Sequence, residues 1–114
     1  MAPDQGFVDY LCDQMRDAGQ VRSRKMFGEF AIYCDDKVVA LVCDDRLFVK
    51  QTGGGRAFIG EPVEAPPYKG ARPHFLIEDR IDDRGWLSEL IALTQHELPA
   101  PKPKKPKKSA RGGS

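Results

Sequence analysis

The sequence predicts an α+β fold: an N-terminal helix, an antiparallel sheet of about five strands, a closing helix and a disordered basic tail. Three observations carry that expectation. Apolar residues near the start recur at helical spacing. Between residues 21 and 50, short β-branched and aromatic runs alternate with two-residue acidic turns. A second amphipathic stretch follows Asp82-Asp83, and after Leu98 the only apolar side chains are those of Ala and Pro.

The first helix is expected over 5–18. Phe7, Val8, Leu11, Cys12, Met15 and Ala18 form one face, while Asp9, Asp13, Gln14, Arg16 and Asp17 fill the other. Asp4 is a suitable N-cap, and Gly19 stands where a left-handed C-cap belongs. Strands are expected over 21–27, 30–34, 38–43 and 47–50, with Gly28 as a bulge or turn. Asp35-Asp36 and Asp44-Asp45 between them predict consecutive hairpins. The run 38–42 is apolar at every position, which predicts a central strand covered on both faces.

Residues 51–73 are rich in Gly and Pro and read as a long loop with a short helix near 56–59. One more strand is expected over 74–78. Asp82 and Asp83 open the last helix, as acids favour a helix N-terminus. Trp86, Leu87, Leu90, Ile91 and Thr94 give its buried face, and Pro99 stops it. Met26, Phe27, Phe30, Ile32, Leu41, Val49, Trp86 and Leu90 are the expected core and near-core.

The charge is unevenly spread. Lys and Arg total 18 and Asp and Glu total 17 over 114 residues, for a net +1. Residues 1–98 hold 12 basic and 17 acidic side chains, a balance of −5; residues 99–114 hold 6 basic side chains and no acidic one. This divides the chain into a mildly acidic domain, 1–98, and a basic tail, 99–114. No apolar run approaches the ~20 residues of a membrane-spanning helix. The N-terminus lacks the basic start and apolar run of a signal peptide. Three cysteines without metal spacing disfavour a disulfide scaffold and place the expected compartment in the cytoplasm.

Few residues point to chemistry. Asp35-Asp36, Asp44-Asp45, Glu78-Asp79 and Asp82-Asp83 suit turns and caps better than a metal site, and no metal or cofactor is expected. Cys12, Cys34 and Cys43 read as inert buried thiols, too far apart for a disulfide. His74 and His96 fall on separate elements, and His96 suits a helix C-terminus. Gly53-Gly54-Gly55-Arg56 lacks the ending of a phosphate loop and reads as a flexible connection. Arg22, Arg24 and Lys25 form a basic cluster near an edge strand, a candidate anion or partner contact. Lys102, Lys104, Lys105, Lys107, Lys108 and Arg111, interleaved with prolines, are the candidate nucleic-acid contacts. At ~3.1 Å per residue such a Pro-rich arm spans roughly 50 Å.

Arg24-Lys25-Met26-Phe27-Gly28, then Phe30-Ala31-Ile32-Tyr33, Val39-Ala40-Leu41-Val42 and Asp45-Arg46-Leu47-Phe48-Val49-Lys50, closely resemble the N-terminal domain of the TfoX/Sxy competence-regulator family. That family's pattern is a basic pair, Met-Phe-Gly-Gly, an aromatic strand, an Asp-Gly turn, a small apolar strand and Asp-x-Leu-Tyr-Leu-Lys. The similarity covers residues 7–95, including Pro67-Tyr68. Glu29 replaces the second Gly, Asp35-Asp36 replaces the Asp-Gly turn, and His74-Phe75-Leu76-Ile77 replaces the usual aromatic strand. Full-length competence regulators continue into a helical domain, whereas this chain continues into the basic tail, so it looks like a stand-alone TfoX N-terminal-domain protein.

The resemblance implies an α+β fold similar to secretion-chaperone-like folds, and a bacterial, transcription-related protein partner. It supplies no catalytic residue. The expectation is therefore a non-enzymatic regulatory or binding module, monomer or homodimer, off the membrane, whose tail contacts nucleic acid nonspecifically. The alternatives are a small enzyme or ligand-binding domain for an anionic small molecule, using 51–73 and the Arg22/Arg24/Lys25 cluster, or a chaperone-like interaction dimer.

Overall fold

The computed structural model describes residues 5–26 and 29–99. Asp4, Phe27 and Gly28, singled out above as cap, core and break, lie outside the described residues. The element order is α1 (Gln5–Gln14), a 3₁₀ turn (Arg16–Ala18), β1 (Val21–Met26), β2 (Glu29–Cys34), β3 (Lys37–Cys43), β4 (Arg46–Val49), α2 (Gly53–Ile59), β5 (Val63–Ala65), β6 (His74–Ile77) and α3 (Arg84–Glu97). The α+β class stands, with six strands where about five were expected. Every pairing is antiparallel, in the order β1-β2-β3-β4-β6-β5. Helix α3 contacts both α1 and α2, α1 lies on β1 and α3 on β2 and β3, so the helices form one layer on one face.

Two turns set the register. Asp35 and Asp36 have φ of 51° and 69°, and Asp44 and Asp45 have 53° and 58°. They separate the directly paired residues Cys34 and Lys37, and Cys43 and Arg46. Two consecutive positive φ values are what a type I′ turn requires, and its twist matches that of the strands it joins. Asp tolerates this region because its short polar side chain bonds locally.

The strand β3 is interior to the sheet, as its unbroken apolar run predicted, with helices on one face, but its second face is open where cover on both faces was expected. A bulge resolves the pattern. Ile32 pairs with Ala40 and Tyr33 with Val38, so Val39 is the extra residue. Val39, Ala40 and Val42 are fully buried, whereas Val38 and Leu41 are half-buried on the open face. The Val39 carbonyl accepts from the Lys50 N–H, continuing the ladder past β4.

The core lies between sheet and helices. Val8, Leu11 and Met15 meet Phe30, Ile32, Val42, Leu47, Val49 and Phe75, with Leu87, Leu90 and Ile91 of α3 closing the layer. Burying each such side chain stabilises by about 1.5–3 kcal/mol. Trp86 and Met26 are only half-buried, and Trp86 stacks on Phe58 at the margin of the core.

Helix α1 stops four residues short of the expected end. The Gln14 carbonyl accepts from Ser88 Oγ at 2.8 Å, and the Gln14 side chain donates to the Ile81 carbonyl. Met15 N–H is shared between the Leu11 and Cys12 carbonyls, and Ala18 bonds back to Met15, which tightens the chain into the 3₁₀ turn. Gly19, at φ 150°, lies so close to Asp35 that a Cβ would come within 2.7 Å of its carboxylate. The segment 51–73 is more regular than expected. It contains α2, capped by Thr52, and the three-residue strand β5, which Pro62 and Pro66 bracket at the sheet edge.

Two predictions follow from the layering and the turns. Leu90→Ala, in the core, should cost about 2–5 kcal/mol, and Leu41→Ala, on the open face, clearly less. Urea unfolding of both variants checks this, and equal losses would show that the open face is covered. Asp36→Gly should leave the melting temperature at or above that of the parent, while Asp36→Val should lower stability by about 1–2 kcal/mol, because a β-branched residue resists positive φ. A melt in which both substitutions lower stability equally would contradict the I′ assignment.

Candidate functional site

The expected basic cluster lies on β1, an edge strand, and the pleat divides it. Arg22 and Arg24 point to the open face of the sheet, and Lys25, opposite buried Phe30, is on the helix side. Arg22 is directly opposite Tyr33 in the register. Its guanidinium lies 4.3 Å from the Tyr33 ring centroid and 3.4 Å from Asp36 Oδ1. Both ends of that ion pair are more than half exposed, so it orients Arg22 and contributes little to stability. Arg24 and Lys25 make no ion pair among the described residues.

The tail leaves the body beside this cluster. Lys37 Nζ, half-buried, donates to the Gln95 and Leu98 carbonyls at 2.8 and 2.9 Å, tying the end of α3 to the β2–β3 hairpin. A cation at a helix C-terminus complements the carbonyls left without a helical partner there. Leu98 and Pro99 consequently sit between two shallow clefts. One is lined by Tyr33, Asp36, Val38 and Lys50, and the other by Lys50, Arg72 and His74. The expected tail contacts Lys102, Lys104, Lys105, Lys107, Lys108 and Arg111 lie outside the described residues. Their point of departure is nonetheless flanked by Arg22, Lys50 and Arg72. The sequence placed Arg22 and the tail in separate candidate sites and overlooked Tyr33, Lys50 and Arg72. The registers of the consecutive pairs from β1 through β2, β3 and β4 to β6 bring these residues together.

The other candidates resolve as structure. Gly53-Gly54-Gly55 is not a flexible connection but the first turn of α2. Two of its three N–H groups are occupied: Gly55 donates to Thr52 Oγ1 at 2.9 Å and Gly54 to Glu97 Oε1 at 3.1 Å. A Cβ on Gly54 would lie 1.8 Å from Glu97 Oε2, so glycine admits the carboxylate. Asp83 caps α3 through the Trp86 N–H, and Asp82 accepts a hydrogen bond from the Tyr10 hydroxyl. His96 lies in the last turn of α3. Among the described residues no three His, Cys, Asp or Glu side chains lie close enough to hold a metal ion. Arg56 is engaged by Glu64 at 2.9 Å beside β5. That edge is five strand spacings from β1, roughly 24 Å, so Arg56 and the Arg22 cluster do not share a site.

The cysteines are free. Cys34 donates to the Ala18 carbonyl and Cys43 to Glu29 Oε1. Burial pushes the Cys34 thiol up to about 11. Burial, together with the hydrogen bond to Glu29, pushes Cys43 up to about 12. Cys12 is half-buried rather than buried, and burial raises its pKa as well.

A sequence profile described as the TfoX N-terminal domain matches residues 13–98, spanning β1 to α3 and the tail exit. The chain belongs to the TfoX N-terminal domain family. It is also 38% identical over 112 residues to an uncharacterized 12.7 kDa protein in the trpE 5′ region of Spirochaeta aurantia, covering 98% of this chain and 97% of that one. No helix among the described residues is long and apolar enough to cross a membrane.

The raised thiols make a direct prediction. Thiolate is the reactive species, so at pH 8 Cys34 and Cys43 should react far more slowly with Ellman's reagent than a free thiol of ordinary pKa, about 8.5. All three cysteines should react once the chain is unfolded. Fast release from either Cys34 or Cys43 in the native state would contradict their burial.

Proposed function

We propose that the protein is a non-enzymatic binding module in which the tail and the arginine edge of the sheet together contact nucleic acid without reading sequence. The observation that supports this most directly is the tail exit at Leu98-Pro99, beside Tyr33 and Lys50 and next to Arg22. The body is net acidic, so its basic side chains attract a polyanion only where they are grouped, and this is where the tail adds its six. Such contacts go to phosphates and carry no base information. Membership in the TfoX N-terminal domain family supports a regulatory setting with a transcription-related protein partner. Three free thiols suit the reducing cytoplasm. A protein contact on the open sheet face is the second reading, favoured by half-buried Val38, Leu41 and Leu76 and by Val63, 61% exposed.

The test is a salt titration of binding to duplex and single-stranded DNA. Six tail charges meeting duplex phosphates give a slope of log affinity against log salt near about −5, and Arg22 and Arg24 would extend it toward about −7. Arg22→Ala with Arg24→Ala should return the slope by about 2 at most, equally for unrelated sequences. Replacing the six tail cations by glutamine should remove most of the binding. If that variant binds as tightly as the parent, the tail is not the contact.

A further inference from the structure

The far end of α3 carries a third cleft, of opposite character to the two at the tail exit. It has a volume of ≈ 200 Å³ and lies between the end of α2, β5, β6 and the start of α3. Its floor is Trp86 stacked on Phe58, with ring centroids 5.5 Å apart and planes at 30°. Exposed Val63 forms one wall, and Glu61, Glu78 and Asp79 stand on the rim. None of these three acids makes an ion pair among the described residues. They also form no cluster compact enough for a metal ion. The Trp86 ring already accepts one cation, the Arg80 guanidinium, 5.2 Å from its centroid. The Asp44-Asp45 turn lies at the same end of the sheet, since Leu47 pairs with Ile77 just before Glu78.

We propose that this cleft is the docking site of the chain's own Lys-Pro segment, within residues 100–114. An aromatic floor with acids spaced around it is the surface that takes an extended Pro-rich strand carrying cations. Proline rings pack on the aromatic groups and flanking cations meet the acids. The tail contains that pattern in Pro103-Lys104-Lys105-Pro106, followed by Lys107 and Lys108. Distance permits it. From Leu98 back to Trp86 is 12 helical residues, about 18 Å at 1.5 Å per residue. Pro103–Pro106 begins five residues beyond Leu98, about 16 Å away when extended at ~3.1 Å per residue, and ends about 25 Å away. A tethered segment of this length acts at an effective concentration of about millimolar, which favours the chain's own tail over a foreign peptide or a second copy. The cleft and the tail exit lie at opposite ends of α3, so the docked tail runs antiparallel to the helix from the basic end of the body to the acidic end.

The test uses the full chain without nucleic acid, so its outcome is separate from that of the DNA titration. A carbodiimide converts touching carboxylate and ammonium groups into an amide, which peptide mass mapping locates. The expected cross-links join Lys104, Lys105, Lys107 or Lys108 to Glu61, Glu78 or Asp79. Their yield should not change on dilution, and they should be lost in about 0.5 M salt, where the screening length is only about 4 Å. Trp86 is the single tryptophan and reports the same event. Acrylamide should quench it more in the Lys104→Gln, Lys105→Gln, Lys107→Gln, Lys108→Gln chain than in the parent, and Glu61→Gln with Glu78→Gln and Asp79→Asn should reproduce that increase. Tail cross-links confined to other carboxylates, or Trp86 quenching identical in parent and variants, would overturn the proposal. A yield that falls in step with dilution would move the tail onto a second copy and overturn it equally.

Discussion

One ammonium group decides where the tail leaves the body. Lys37 Nζ reaches from the β2–β3 hairpin to the last carbonyls of α3 and holds the end of that helix against the strand pair. Charge-assisted bonds of this kind are about twice as strong as neutral ones. Because Lys37 directly follows the Asp35-Asp36 turn, the hairpin that places it is fixed by backbone geometry as well as by packing. Tyr33 pairs with Val38 in the same hairpin and carries Arg22 on its ring. The turn, the lysine, the end of α3 and the arginine edge are therefore one mechanical unit.

The rest of the sheet depends on the same economy. Helices cover one face, and the Val39 bulge lets one continuous apolar strand supply both a core face and an open face. The body ends up polarised. At the tail exit Arg22, Lys37, Lys50 and Arg72 outnumber Asp35 and Asp36, and at the other end Asp44, Asp45, Glu61, Glu78 and Asp79 outnumber Arg46 and Arg80. The near-neutral total charge conceals this separation, which exists only once the strands are paired.

Much of the fold is legible in the residues. Asp-Asp between β-branched runs marks both tight turns, because few residue pairs accept two positive φ values in succession. Leu87, Leu90 and Ile91 follow helical spacing, and Asp83 announces the start of α3. What escapes is local structure set by distant partners. Nothing near Gln14 signals that Ser88 will take its carbonyl and end α1 early. β5 is three residues between prolines and exists because β6 pairs with it. Gly53-Gly54-Gly55 resembles a flexible loop until Glu97 arrives from the end of α3 to hold its N–H group. The candidate site has the same character: Arg22 and the lysines of the tail are visible as charges, but Tyr33, Lys50 and Arg72 join them only through pairings across the sheet.

If the tail exit and the arginine edge act as one nucleic-acid surface, as proposed, they respond to DNA together. The most direct measurement is a backbone amide NMR titration of the full chain with a short DNA duplex of arbitrary sequence. The account predicts that the resonances of Arg22, Arg24, Tyr33, Lys50 and Arg72 shift together with those of the tail lysines, and to the same extent for a second, unrelated duplex. Shifts confined to the tail, or centred on α1 or the β5 edge, would contradict it.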